Sequence, residues 1–334
     1  MRNLARVQWV DCLKGIAIIF VLVDHASYLT GNVLQLNGAI HIFQLTSVSI
    51  SWFLLLFGYI SVISFETNEP WITQTKLFWI KRYKYLWYYI IASIVGYVWL
   101  SWATVDFFDF VRRLFYFTVV PPYYYFFILF QSIFLVPFFM LVFKRMTSPY
   151  MWIGFVTLVY VGLLPISQLQ QQSSWIMPWN LLFGGLPLIF VLIGMGVRMF
   201  ERFMTGKRIF ICAFLWGMLY ISLLRRNGTL FGEQMTPFFV LFSTLLFIIV
   251  AAFVKHIIPV CSMRVVSFIG RRSLGIFLVH WMVMQSIVTL FHTTDFWLQY
   301  TIVFLGSFFC TLGIVEGIER IYRWLQSLFL LHRA

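Results

Sequence analysis

Apolar stretches of about 20 residues recur along almost the whole chain, and that is the length an α-helix needs to cross a bilayer. Ten can be read, at 9–29, 44–64, 84–103, 123–143, 150–166, 180–198, 208–224, 236–254, 273–291 and 297–317, separated by clusters of charge, proline or polar residues. In a bilayer each backbone N–H and C=O must be satisfied within its own segment, so such stretches fold as helices. Of the 334 residues 61% are hydrophobic and only 10% charged, where soluble domains carry about 25% charged residues. Too few charges remain to solvate the surface of one apolar core, which excludes a soluble globule. The expected fold is an all-α integral membrane protein, a bundle of about ten transmembrane helices forming a single domain over residues 1–334. The segment 150–166 is short and contains Pro165, so nine spans is the alternative count.

The charges orient the bundle. Lysine and arginine outnumber aspartate and glutamate 24 to 11, a formal net charge of +13. In a soluble protein that surplus would point to nucleic acid, but basic residues are also retained in cytoplasmic loops of membrane proteins. With the N-terminus inside, 20 of the 24 fall on cytoplasmic segments. They are Arg2, Arg6 and Lys14; Lys76, Lys81, Arg82 and Lys84; Lys144 and Arg145; Arg198, Arg202, Lys207 and Arg208; Lys255, Arg264, Arg271 and Arg272; and Arg320, Arg323 and Arg333. Only Arg112, Arg113, Arg225 and Arg226 are left outside. Deleting a span would invert every later loop, so the pattern predicts both termini in the cytoplasm and a lipid bilayer, not nucleic acid, as partner. A cleaved signal peptide is the other way to read the first segment. Asp11, Lys14, Asp24 and His25 interrupt it, and no small-residue cleavage site stands out. Cys12, Cys212, Cys261 and Cys310 lie far apart in or beside spans, with neither a disulfide framework nor a metal-ligand spacing. They read as small buried apolar residues, and no metal is expected.

Ionisable groups inside a span are unfavourable there and mark a cavity, a partner or a substrate path. At 100° per residue, Lys14 and His25 lie about 20° apart around the first span and Asp11 about 40° from His25. The three share one face, with Lys14 near the cytoplasmic mouth and His25 roughly 16 Å deeper. Asp11 and Lys14 can be an i,i+3 ion pair at the helix entrance, with Lys14 reaching lipid phosphates, or part of a polar cavity. A single membrane histidine can simply bridge helices. With Lys14 on its face, His25 instead reads as a candidate general base toward a hydroxyl. Asp24, about 100° away, is not aligned to orient it. In the ninth span Ser273 and His280 share a face, seven residues apart, above Arg271 and Arg272. The arginine pair can satisfy the positive-inside rule alone or bind anionic phosphates, which suits guanidinium geometry.

At these residues the sequence resembles the membrane-bound acyltransferase-3 family. Asp11-x-x-Lys14-Gly15-Ile16-Ala17 followed by His25 is similar to that family's Arg (or Lys)-x10-His pattern. The string from Gly270 through Arg271, Arg272, Ser273 and Gly275 to His280 resembles its later motif. Ser51 to Tyr59 resembles its phenylalanine-rich Gly-Tyr element, and Tyr123 to Pro137 its aromatic span ending in proline. The four elements occur in order along the chain. The basic position is Lys rather than the commoner Arg, as in the branch resembling fucose O-acetylases. No hydrolase-like domain follows the last span, so the resemblance is poorer to members with that appendage.

The resemblance implies a bacterial cytoplasmic-membrane enzyme. It would move an acyl group, commonly acetyl and sometimes succinyl, from cytoplasmic acyl-CoA to a hydroxyl of an extracytoplasmic or lipid-linked glycan. Lys14 and His25, with Asp11, take the positions of the catalytic residues. Lys14, Arg82, Arg271, Arg272 and Ser273 would hold the donor, acetyl-CoA first among acyl-CoAs, at the inner face. His25 would act as general base, or as a covalent acyl carrier. His280, Tyr124 and Trp179 are the candidates for the acceptor sugar, although Tyr and Trp also collect at every membrane interface. Two other classes compete. A glycan exporter would need no bond-making residues and often shows internal repeats; no repeat is legible here. A membrane scaffold would not retain Lys14, His25 and His280 in its spans.

Overall fold

The structure is a computed structural model that describes residues 8–31, 45–66, 69–101, 105–172, 185–201, 205–225, 236–256 and 263–331. Among these the regular structure is helical, without strands. In chain order the helices are α1 (Gln8–Leu29), α2 (Ser49–Ser64), α3 (Trp71–Arg82), α4 (Lys84–Leu100), α5 (Phe107–Phe115), α6 (Tyr124–Phe143), α7 (Pro149–Gln172), α8 (Leu188–Met199), α9 (Gly206–Arg225), α10 (Pro237–His256), α11 (Met263–Arg271), α12 (Ser273–Leu290) and α13 (Phe296–Leu331). A short 3₁₀ turn, Pro121–Tyr123, leads into α6. Every apolar segment read from the sequence carries a helix. Among the described residues six helices are long and apolar enough to cross a membrane, and α2 and α8 are shorter apolar helices.

Local chemistry sets several helix starts. The Ser148 hydroxyl accepts from Tyr150 N ahead of Pro149, and Thr236 accepts from Phe239 N ahead of Pro237. Asp106 caps α5 through Phe108 N, and Asp295 caps α13 by accepting from Trp297 N and Leu298 N. A short side-chain oxygen satisfies an orphan N–H in each case, and proline at the first helical position gives up a donor that has no partner anyway. Within α6, Pro137 cannot donate to the Ile133 carbonyl one turn earlier. The Trp79 indole of α3 fills the gap, donating to Ile133 O at 3.1 Å.

The chain divides into two compact units, residues 1–47 with 258–334 and residues 48–257. In the first, α1 packs along α11, and α12 pairs with α13. The α1–α11 contact is backbone against backbone. A Cβ on Gly15 would lie 2.1 Å from Val266 O, and one on Gly270 would lie 1.7 Å from Asp11 O. In the second unit α2 and α8 repeat the device, with Gly58 against Val191 O and Gly194 against Leu55 O. Small residues permit this approach, which is how helices gain packing where lipid supplies no hydrophobic drive. Beyond the ends of α2 and α8, Glu201 accepts from Tyr59 Oη at 2.8 Å, pairs with Arg198 at 2.8 Å and with Lys255 of α10, while Arg198 also grips Glu66 at 2.8 Å. Aliphatic and aromatic side chains such as Leu13, Ile18, Leu22 and Phe247 fill the interior of the units.

Candidate active site

All the polar groups of α1 belong to the first unit, and they stand at two levels. At the first, Asp11 is buried and its Oδ1 lies 3.6 Å from Lys14 Nζ. Gly270 against Asp11 O places the end of α11, and with it Arg271 and Arg272, beside this pair. The chain turns at Arg272, whose N–H bonds Ile269 O while its carbonyl starts α12 by accepting from Ile276 N. The two arginines then differ. Arg272 is buried, lies 3.7 Å over the Phe268 ring, donates through Nε to Glu316 at 2.9 Å and pairs with Glu319 at 3.2 Å. Arg271 is exposed. It stands between two surface recesses of about 380 and 420 Å³, one shared with Glu319 and Arg323, the other with Gln8 and Arg264. The unit therefore presents exposed guanidinium groups around Phe268, anchored from beneath by a paired one.

The second level lies eleven residues along α1 from Lys14, roughly 16 Å by helical rise. His25 is half-buried there, and its ring meets the His280 ring edge-on, with centroids 5.1 Å apart and planes at 83°. The Trp281 ring meets His25 likewise at 5.2 Å and 89°. His280 is fully buried and its Nδ1 lies 2.7 Å from Phe277 O. A carbonyl oxygen only accepts, so Nδ1 carries the proton and, in the neutral ring, Nε2 keeps its lone pair. Neither His280 Nε2 nor Trp281 Nε1 has a hydrogen-bond partner among the described residues, and the same holds for Asp24 Oδ1. Buried polar atoms without partners are uncommon, and two of them belong to His280 and Trp281, the residues whose rings meet His25. The arrangement offers a base, an acceptor and a donor in an interior position, with cations about three helical turns away.

The sequence profile of the acyltransferase-3 family, an acyltransferase domain, matches residues 7–316. The chain belongs to the acyltransferase-3 family. No curated protein and no solved structure matches it. The matched region contains both levels, Asp11 with Lys14 and His25 with His280, so the polar interior is part of the acyltransferase domain.

The sequence-predicted residues of this acyltransferase-3 chain distribute as follows. The structure joins His25 to His280 and Lys14 to Asp11, but it separates those pairs along α1, so Asp11 and Lys14 do not touch the imidazole of His25. Ser273 is buried at the first turn of α12. Arg82 and Tyr124 belong to the second unit. Arg82 is buried there over the Phe78 ring at 3.6 Å and donates to Ser64 Oγ at 3.2 Å, while Tyr124 opens α6, half-buried. Trp179 lies outside the described residues. Sequence reasoning passed over Trp281 and the glutamates that hold Arg272. Glu316 and Glu319 did carry a signal, since two acidic residues three apart near the end of an apolar helix need a cation. Trp281 carried none, because a tryptophan in a span is ordinary.

Proposed function

We propose that this chain is an integral membrane O-acyltransferase. It moves an acyl group, acetyl foremost, from cytoplasmic acyl-CoA to a hydroxyl of an extracytoplasmic or lipid-linked sugar. Lys14 and Arg271, with Arg264 and Arg323 beside them, attract the phosphates of the donor at the basic level. Arg272, held by Glu316 and Glu319, positions that surface. The thin pantetheine arm then reaches toward His25 while the charged nucleotide stays outside the bundle, which avoids burying its phosphates. His25 takes the proton of the sugar hydroxyl, the hydroxyl oxygen bonds to the thioester carbon, the carbon–sulfur bond breaks, and the departing thiolate takes the proton back from His25. Lys14 in the basic position accords with a fucose O-acetylase-like branch.

The single observation that carries this reading is His25 set edge-on against His280 and Trp281, about three helical turns along α1 from the basic level, inside a matched acyltransferase domain. We read the domain as about ten spans with both termini cytoplasmic in a bacterial cytoplasmic membrane. The meeting of the N-terminal turns of α1 with α11 and of Arg272 with the C-terminal part of α13 supports that parity within the first unit. The test is transfer of label from acetyl-CoA to surface glycan in membranes. Wild type transfers, and His25→Ala loses about 100-fold or more at equal protein level; unchanged transfer overturns the proposal. A deletion strain whose glycan reaches the surface without its ester groups supports it, whereas loss of the surface glycan itself would assign the chain to export.

A further inference from the structure

The atoms left unmatched beside His25 describe the acceptor. His280 is 0% exposed and its Nδ1–H is committed to Phe277 O, so its only remaining function is the lone pair on Nε2. Trp281 is 5% exposed and its Nε1–H is a donor with no acceptor among the described residues. An acceptor and a donor, each taken out of water, thus flank the candidate base; the α12 residues next to them, Ile276, Phe277, Leu278 and Met282, supply no side-chain polar atom, and the Tyr28 ring of α1 lies 6.0 Å from that of Trp281. One hydroxyl group meets both needs at once, giving its hydrogen to His280 Nε2 and accepting from Trp281 Nε1. It is not the reacting hydroxyl, whose hydrogen goes to His25. The His25 and His280 ring centres are 5.1 Å apart, which suits two hydroxyls close together on one sugar.

We propose that His280 and Trp281 are positioning residues that bind a second hydroxyl of the acceptor, next to the one acylated, so that the site takes sugars bearing neighbouring hydroxyls. This rests on the acyl-transfer reading of His25. No bond to His280 or Trp281 is made or broken. Their contribution is orientation, and a site built to hydrogen-bond a hydroxyl leaves its own groups unpaired when that hydroxyl is missing.

The test uses full-length protein in native membranes with labelled acetyl-CoA and the cell's own glycan. His280→Asn keeps an N–H for Phe277 O but has no acceptor where Nε2 was, His280→Gln brings an amide oxygen near that place, and Trp281→Phe removes only the indole donor. Expected are turnover losses of about 10- to 100-fold for His280→Asn and Trp281→Phe, an unchanged KM for acetyl-CoA, and substantial recovery in His280→Gln. Nuclear magnetic resonance of the product then shows the ester next to a free hydroxyl. Wild-type turnover in both deficient variants overturns the inference. Equal losses in His280→Asn and His280→Gln assign His280 to packing and overturn it too, as does an ester on a carbon whose neighbours carry no hydroxyl. If wild-type membranes transfer acetyl and His25→Ala does not, these failures leave the acyltransferase reading standing; if wild type transfers none, both fall.

Discussion

Gly270 lies so close to Asp11 that a methyl group in place of its hydrogen would sit 1.7 Å from the Asp11 carbonyl oxygen and 2.7 Å from Gly15 N. Both are backbone atoms of α1, and a helix backbone cannot step aside as a side-chain tip can. This contact sets Arg271 and Arg272 beside Lys14. Gly270→Ala is expected to destabilise the protein by about 1–3 kcal/mol, as overpacking does, and to lower transfer by displacing the arginines. Thermal unfolding in detergent and acetyl transfer measured together check it, and a wild-type melting temperature would contradict the packing.

Arg271 and Arg272 are adjacent in sequence and opposite in use. Arg272→Met removes the buried guanidinium that Glu316 and Glu319 share, although Arg320 and Arg323 still pair with Glu316, and is expected to lower the melting temperature. Arg271→Met is expected to leave the melting temperature unchanged and to raise KM for acetyl-CoA several-fold. The two variants, compared for melting temperature and KM, should therefore separate cleanly; equal behaviour would show that the pair acts as one.

Trp79 and Pro137 are coupled through the carbonyl of Ile133. Trp79→Phe orphans that oxygen and should destabilise by about 1 kcal/mol. In a Pro137→Ala background the restored backbone donor serves Ile133, so the same change should have much less effect. A double-mutant cycle on thermal unfolding measures the coupling, and additive losses would argue against it.

Glu201 binds Tyr59, Arg198 and Lys255 just past the end of α8. Partial burial pushes its carboxyl up, but the hydrogen bonds from Lys255, Tyr59 and Arg198 outweigh burial and hold it below the ordinary carboxylate range. A group depressed in the folded state stabilises fully above its unfolded pKa, and that contribution is lost as pH falls through the folded one. Wild type should thus lose melting temperature on acidification below the ordinary carboxylate range more steeply than Glu201→Gln. Parallel curves would remove Glu201 from the account.

The helical segments were legible because the bilayer imposes its demand on each one separately. A run of about 20 apolar residues must satisfy its own backbone, so length and composition suffice to mark it. Helices such as α3, α5 and α11 escaped that reading. They are 12, 9 and 9 residues long, too short to register as spans. Lys14, His25 and His280 were legible as well, since ionisable groups in apolar helices stand out against their surroundings.

The sequence by itself determined an all-helical membrane chain with a polar face on α1 and a histidine on α12. Only the tertiary structure decided that these histidines meet, that Trp281 joins them, and that Arg272 is committed to Glu316 and Glu319 while Arg271 is exposed. The reason is that helix formation is written locally, whereas which face meets which depends on close backbone contacts such as Gly15 with Val266 and Gly270 with Asp11. Those contacts join residues some 250 positions apart in the chain, and no periodicity within a single segment encodes them.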